Sequence, residues 1–486
     1  MRTTTRRSFV RGAAALGAAA AVPLPLAASA RRILGAQEDL RIAVVGLRSR
    51  GWSHVEGFER LAGVRVVALC DVDREVLGRR AAEFEQKHGR AVAQAVDYRA
   101  LLADGSIDAI SIATQNHWHA LMAIQACQAG KDVYVEKPVS HNIWEGRQLC
   151  RAAEKYQRIV QCGTQSRSNP GFREAVEFVR GGGLGRIRLA RGLCYKPRPS
   201  IGKVTNPSPI PDTIDYDLWC GPAPMDPLMR RNLHYDWHWV WATGNGDLGN
   251  QGIHQMDMCR MVLGETKLAP YVQSVGGRLG YEDDGETPNT LVSVFEYESA
   301  PLVFEVRGLP RKAGDKQMDR FLGASVGCVI HCEGGWLSIP SYDGGVAYDR
   351  DGREVRGFRG SGDHFANFVE ALRSRDPKTL HGPIVDGHLS SALCHMGNIS
   401  HRVGTPSVPG AIEDALAVDV AAAEAFGRTR EHLRANGVDL AASPLTLGRR
   451  LRLDPDTEVF VGAEVEAANR LARGSYRAPY VVPEEV

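Results

Sequence analysis

The chain has 486 residues, 43% hydrophobic and 24% charged, a mix that excludes a disordered, collagenous or coiled-coil protein. Lys+Arg 59 against Asp+Glu 57 leaves a formal charge of +2, and without Arg2, Arg6, Arg7 and Arg11 of the first thirty residues this becomes −2. Bulk charge therefore argues against a nucleic-acid partner. Thr5-Arg6-Arg7-Ser8-Phe9-Val10-Arg11, the apolar run Gly12–Val22 and the small-residue site Ala28-Ser29-Ala30 predict a twin-arginine export signal over residues 1–30. The apolar run is shorter than the ~20 residues a membrane-spanning helix needs, and Pro23 and Pro25 follow it. Proteins taking that export route fold first, so the ten cysteines read as free structural thiols and not as a disulfide framework.

From Leu40 onward, short apolar runs alternate with helical patterns. Strands are predicted at Arg41–Val45, Val64–Cys70, Asp108–Ala113, Lys131–Val135 and Arg158–Gln161, with helices such as His119–Ala129 and Trp144–Tyr156 between them. That alternation predicts a parallel sheet covered on both faces, a Rossmann-type α/β domain over 37–165. The first strand runs into Gly46-Leu47-Arg48-Ser49-Arg50-Gly51, a dinucleotide fingerprint with Arg48 in place of its middle glycine. Asp71 closes the second strand, where a carboxylate would accept ribose hydroxyls and favour NAD. Arg48 and Arg74 leave NADP open, and the competing reading of Asp71 is a helix N-cap.

Beyond this domain, Ile187–Cys194, Leu291–Glu298 and Leu302–Val306 have the β-branched character of strands in a half-exposed sheet. Ala411–Leu433 reads as one helix, and Leu447–Val486 as a closing arm. These readings divide the rest of the chain into 166–410 and 411–486.

His117-Trp118-His119-Ala120 through Lys131-Asp132-Val133-Tyr134-Val135-Glu136-Lys137-Pro138, with Gly246–Asp257, Gly387–Gly404 and Tyr476-Arg477-Ala478-Pro479, resembles the Gfo/Idh/MocA oxidoreductase family. The resemblance implies a Rossmann domain followed by an α+β domain with a large, mostly antiparallel sheet, which carries the substrate pocket and an oligomer contact. It implies NAD as cofactor, held by Gly46, Arg48, Ser49, Arg50, Gly51, Asp71, Asn116, His119, Glu136 and Lys137. Lys137 is expected to touch both cofactor and reacting hydroxyl. In the better-known sugar dehydrogenases of the family an aspartate stands four residues before the catalytic histidine, where this chain has Asn250.

If residues 250–262 form one helix, Asn250, His254 and Asp257 share a face, with His254 as base and Asp257 holding its imidazole. Tyr235, Trp237, Trp239 and Trp241 alternate with His234, Asp236 and His238, a pattern suited either to stacking sugar rings or to one packed strand face. Trp237, His238, Trp239, Tyr195 and Arg198 are the substrate-contact candidates. Neither His117/His119 nor His234/His238 acquires the further ligands a metal site needs, so no metal is expected. The expected activity is oxidation of a hydroxyl on a sugar, glycoside or cyclitol by an exported homo-oligomer that retains its NAD. The alternatives are an NAD-dependent glycoside hydrolase working through a transient keto-sugar, and a non-catalytic carbohydrate-binding protein.

Overall fold

The computed structural model describes residues 39–417 and 419–486; the export signal expected over 1–30 lies outside them. The first domain is a six-stranded parallel sheet, β1 Leu40–Val45, β2 Val64–Cys70, β3 Ala93–Ala95, β4 Ala109–Ile112, β5 Asp132–Val135 and β6 Val160–Cys162, in the order 3-2-1-4-5-6. Its helices are α1 Ser49–Glu59, α2 Arg74–His88, α3 Arg99–Ala103, α4 Asn116–Gln128 and α5 Ile143–Lys155. Strands β1, β4 and β5 bury nearly every residue, which is why they read as continuous apolar runs and not as alternating ones. Because β2 and β4 flank β1 on opposite sides, their connections leave in opposite directions and open a crevice at the strands' carboxyl ends.

The second domain begins with α6 Pro170–Arg180 and β7 Ile187–Tyr195, then makes a long excursion containing α7 Tyr216–Cys220. It continues through α8 Gly246–Asn250, α9 Gly252–Leu263, β8 Tyr271–Gly277, β9 Thr290–Glu296, β10 Leu302–Arg307, β11 Val326–Cys332, β12 Gly335–Ile339, β13 Gly344–Asp349 and β14 Glu354–Arg359. After these come α10 His364–Ser374, α11 Ile384–Arg402, β15 Thr405–Ser407, α12 Pro409–Leu416, α13 Val420–Ala435, β16 Leu445–Leu447, β17 Leu451–Asp454, β18 Val459–Val461 and α14 Glu466–Arg473. The twelve-stranded sheet runs 14-13-12-11-7-10-9-8-16-15, with β17 and β18 attached beside β8; all of its pairs are antiparallel except β7 with β10. Ile253, Met256 and Cys259 of α9 pack with Phe304, Cys328 and Ile330 on one face, while Phe426 and Leu433 of α13 cover Val292 and Val303 on the other.

Two expectations change here. Residues 411–433 form two helices, not one, since α12 ends at Leu416 and Asp419 caps a new start at Val420 by accepting from the Ala422 amide. The C-terminal stretch is also more than an arm: β16 and β17 extend the large sheet, and the last residues return to the first domain. There Tyr480, Val482 and Val486 join the core around Trp118, and Gln148 Nε2 donates to the carbonyls of Pro483 (2.8 Å) and Glu484 (2.6 Å). No described helix is long and apolar enough to cross a membrane.

Candidate active site

A cavity of about 610 Å³ runs along the carboxyl ends of the parallel strands and is closed on the other side by the excursion and by α8–α9. At one end the chain turns at Gly46, whose φ of +81° and 2.5 Å approach of a built Cβ to the Ala113 carbonyl oxygen admit only glycine. Gly51 is equally forced: a Cβ there would lie 1.6 Å from the Gly46 carbonyl oxygen. Arg48 takes the place of the middle glycine without strain because its φ is −75° and its side chain faces solvent. Helix α1 starts at Ser49 without a side-chain cap, so the amides of Ser49, Arg50 and Gly51 remain for a pyrophosphate.

Asp71 accepts the amides of Leu47 (2.9 Å) and Asp73 (3.0 Å) and lines the cavity; burial pushes its carboxyl up while those amides oppose the shift. Asp73, not Asp71, caps α2 by accepting from Glu75 at 3.0 Å, which settles the competing reading of Asp71. The cradle therefore fits a dinucleotide, with Asp71 free to meet the ribose.

Toward the other end, Glu136 is 3% exposed and accepts from Arg50 Nε (2.7 Å) and Gln165 Nε2 (3.1 Å), with His54 Nε2 at 3.2 Å. Burial alone would raise its pKa, but Arg50 and His54 outweigh that and hold it well below the usual carboxylate range. Lys137 Nζ donates to the Asn250 carbonyl at 2.8 Å, and burial pushes its pKa down against the pull of Glu136. Asn116 Nδ2 donates to Asn245 Oδ1 at 2.9 Å. His119 lies between the carbonyls of Pro138 (2.6 Å) and Thr114 (3.1 Å), so it braces the loop that carries Lys137. His254 and Asn250 face these groups across the cavity. Burial and the nearby Lys137 push His254 down to about 3, keeping it neutral, and its ring meets Tyr342 edge-on at 5.2 Å.

The structure corrects four of the expected roles. Asp257 does not hold His254: it is 1% exposed and accepts from Arg167 Nε (2.8 Å) and Ser390 Oγ (2.7 Å) away from the cavity. His254 and Asp257 lie on the same helix, α9, but the Asp257 carboxylate is taken up by Arg167 and Ser390 while His254 lines the cavity. Tyr195 donates to Glu305 Oε2 (2.7 Å) on the sheet face opposite α9, because alternation along β7 puts Cys194, and not Tyr195, toward the helix. Arg198 spends its guanidinium on Asp247 (2.8 and 2.6 Å) and covers Trp239, so neither lines the cavity. Residues 236–239 form a 3-10 turn instead of a strand, which sends successive aromatics in different directions. Trp237 and His238 reach the cavity stacked at 3.6 Å, and burial pushes His238 down to about 3.

Several lining residues carried no local signal. Gln165 follows β6 and Tyr342 comes from the β12–β13 hairpin, while His54, buried behind Glu136, is one helical turn past the glycine loop. Only Gln165 was findable, since it sits just past a strand's carboxyl end.

A glycine loop feeding a helix at the centre of a 3-2-1-4-5-6 parallel sheet, with a lysine and a histidine facing across the same crevice, defines an NAD-binding oxidoreductase architecture. Residues 40–164 match the NAD-binding Rossmann domain of an oxidoreductase family, and 187–287 match its C-terminal α/β domain. The chain belongs to the Gfo/Idh/MocA oxidoreductase family. It is similar to an alpha-N-acetylgalactosaminidase of Shewanella oneidensis (31% identity over 208 residues, 38% of this chain and 45% of that protein). A glycosyl hydrolase family 109 protein of Shewanella baltica matches at 31% over 209 residues, again 38% of this chain and 45% of that protein. The chain thus spans about half the length of these curated relatives. In fold it is similar to the WlbA dehydrogenase of Bordetella pertussis in complex with NADH and UDP-GlcNAcA (TM-score 0.54, 18% identity, 74% of this chain and 97% of that one). An oxidoreductase from Thermotoga maritima gives a TM-score of 0.55 at 18% identity, with 74% and 96% covered.

Proposed function

We propose that the protein cleaves a glycoside by transiently oxidising a ring hydroxyl with a retained NAD. The observation that carries the reading is the meeting of Lys137, tethered to the Asn250 carbonyl at 2.8 Å, with a neutral His254 across one cavity. Bound NAD would supply a hydride acceptor that can return what it takes. His254 accepts the hydroxyl proton, and the Lys137 ammonium stabilises negative charge on the oxygen as the ketone forms and again when the neighbouring C–H is deprotonated. That proton passes to solvent as the bond to the aglycone breaks and the aglycone oxygen takes up a proton; water then adds its hydroxyl and a proton across the resulting double bond, and reduction of the ketone restores the ring, so no net oxidant is consumed. Trp237 and His238 offer the stacked face for the sugar. The names of the relatives favour this net hydrolysis over simple dehydrogenation.

The excursion supports retention of the cofactor. Arg74 donates its amide to the Thr213 carbonyl (2.9 Å), and the Asp215 amide to the Val72 carbonyl (3.2 Å). His234 Nε2 lies 3.1 Å from Asp73, and Leu218, Trp219 and His234 roof the cavity over the end that holds Asp71. A roof of this kind suits a protein exported already folded, as residues 1–30 suggest, since no NAD pool is available outside.

The test is to incubate the purified protein, without added NAD, with aryl glycosides beginning with the α-N-acetylgalactosaminide, in heavy water. Release of the aryl group, no net NADH, and deuterium at the carbon beside the oxidised one are expected. Keto-sugar with the aryl group still attached, formed in step with NADH, would establish a dehydrogenase instead.

A further inference from the structure

A second cavity, about 940 Å³, lies behind the wall formed by residues 240–245. The wall is stiff. Asn245 accepts from Asn116 (2.9 Å), donates to the His141 carbonyl (3.0 Å), and offers its own carbonyl to Asn398 Nδ2 (2.8 Å). His141 Nε2 meets the Gly244 carbonyl at 3.2 Å from the segment just after Lys137. The two cavities are therefore separate spaces sharing one hydrogen-bonded partition, and nothing in the proposed reaction uses the second.

Its lining has a distinct chemistry. Trp241, which like Trp239 does not line the cleft, faces this cavity with Arg402 4.8 Å from its ring centre. The Arg402 guanidinium makes no hydrogen bond to another described residue. Asn398 is only 4% exposed, yet its Oδ1 has no partner among the described residues. Asp226, Glu286 and Tyr476 complete the rim. The imidazoles of His141 and His395 are pushed by burial to about 4 and about 3, and the buried Glu145 carboxyl in the same lining is pushed up to about 7.

An indole beside planar amide, carboxylate and guanidinium groups is matched by one class of ligand: apolar C–H faces edged with paired hydroxyls. We propose that this cavity is a second saccharide-binding site, with Trp241 as the stacking platform, the Asp226 and Glu286 carboxylates as hydroxyl acceptors, and Arg402 as donor. Its volume is in the range of small-ligand pockets. A sugar there is either a free saccharide or a remote unit of the chain whose terminal residue occupies the cleft.

Titration calorimetry of the full chain with the methyl glycosides of galactose, glucose and N-acetylgalactosamine tests it. At least one glycoside should bind at two equivalents per chain. In Trp241→Ala, and in the surface change Arg402→Ala that leaves the partition intact, binding should fall to one equivalent, with turnover of the smallest active glycoside unchanged. One equivalent that survives in both variants, or two in both variants, overturns the proposal. A trisaccharide substrate separates the two sources. A KM raised tenfold or more in Trp241→Ala assigns the site to the substrate chain, and an unchanged KM with the second equivalent lost assigns it to a separate saccharide. Because stoichiometry is read as heat, a protein that cleaves nothing still tests the site, so its failure and that of the proposed reaction are distinct.

Discussion

The two walls of the catalytic cavity handle charge in opposite ways. On the Rossmann side, the ionisable groups are held in pairs: Glu136 between Arg50 and His54, Asp71 against backbone amides. On the facing side, His238 and His254 are desolvated and neutral, and the remaining lining is aromatic or amide. The difference teaches that one wall suits a charged cofactor held in fixed register, and the other suits the neutral sugar of the proposed reaction. Lys137 is the link, rooted at the end of β5 and tethered to the opposite wall through the Asn250 carbonyl.

The comparison breaks most directly at that link. Lys137→Ala should remove turnover by about four orders of magnitude, the upper end for a group that handles protons and charge in the transition state, while circular dichroism stays native. Turnover within tenfold of wild type would detach Lys137 from the chemistry. His254→Ala should cost ~10²–10⁴-fold in kcat. Since its imidazole is neutral far below pH 6.5, the wild-type kcat profile should show no acid limb between pH 7 and 5 belonging to this group. A limb near 6.5 that vanishes in His254→Ala would show that the imidazole is not desolvated.

Asp257→Asn tests whether the paired charges behind the neutral wall are structural. Removing one partner of the buried Arg167–Asp257 pair should destabilise the fold by about 3–5 kcal/mol in urea unfolding, with the pH dependence of kcat unmoved in whatever folds. A shifted pH profile with unchanged stability would restore Asp257 to the catalytic set.

Buried neutral histidines also set a stability profile. His117 and His395 are pushed down to about 3 and His364 to about 4 from 6.5, all by burial, and all are at most 3% exposed. Their folded pKa values lie below the unfolded one, so their contribution is complete above pH 6.5 and is lost as pH falls toward 4. At pH 5.5 each should cost about 1.4 kcal/mol, visible as a Tm that declines from pH 7 to 5. A flat Tm over that range would contradict the desolvated state of these rings. The smallest effect is expected on the paired wall: Asp71→Asn should weaken NAD binding about tenfold, ~1.4 kcal/mol, and NADP binding less. Equal losses for both cofactors would mean that Asp71 only shapes the loop through the Leu47 amide.

The Rossmann half was legible because its signals are local. The strands are continuous apolar runs of the right length, and Gly46 and Gly51 stand where steric contact forbids any side chain. Glu136-Lys137 ends a strand, which puts it at the crevice by topology alone. The sequence also carried three strands of the second sheet, β7, β9 and β10, through their β-branched runs.

What it did not carry was direction. Asn250, His254 and Asp257 have helical spacing, but Arg167 and Ser390, from distant segments, take up the Asp257 carboxylate and leave His254 without it. The tryptophans alternate in sequence, but a 3-10 turn split them between the catalytic cavity and the space behind it. Tyr195 lay on the expected strand and on the other face of it. Periodicity fixes which residues share a face only while the element stays regular, and which face meets a cavity depends on packing partners far away in the chain. Composition, local pattern and strand ends determined the fold and the cofactor cradle; the tertiary structure alone decided which side chains meet across the cleft, because those contacts join segments whose separation no local interaction spans.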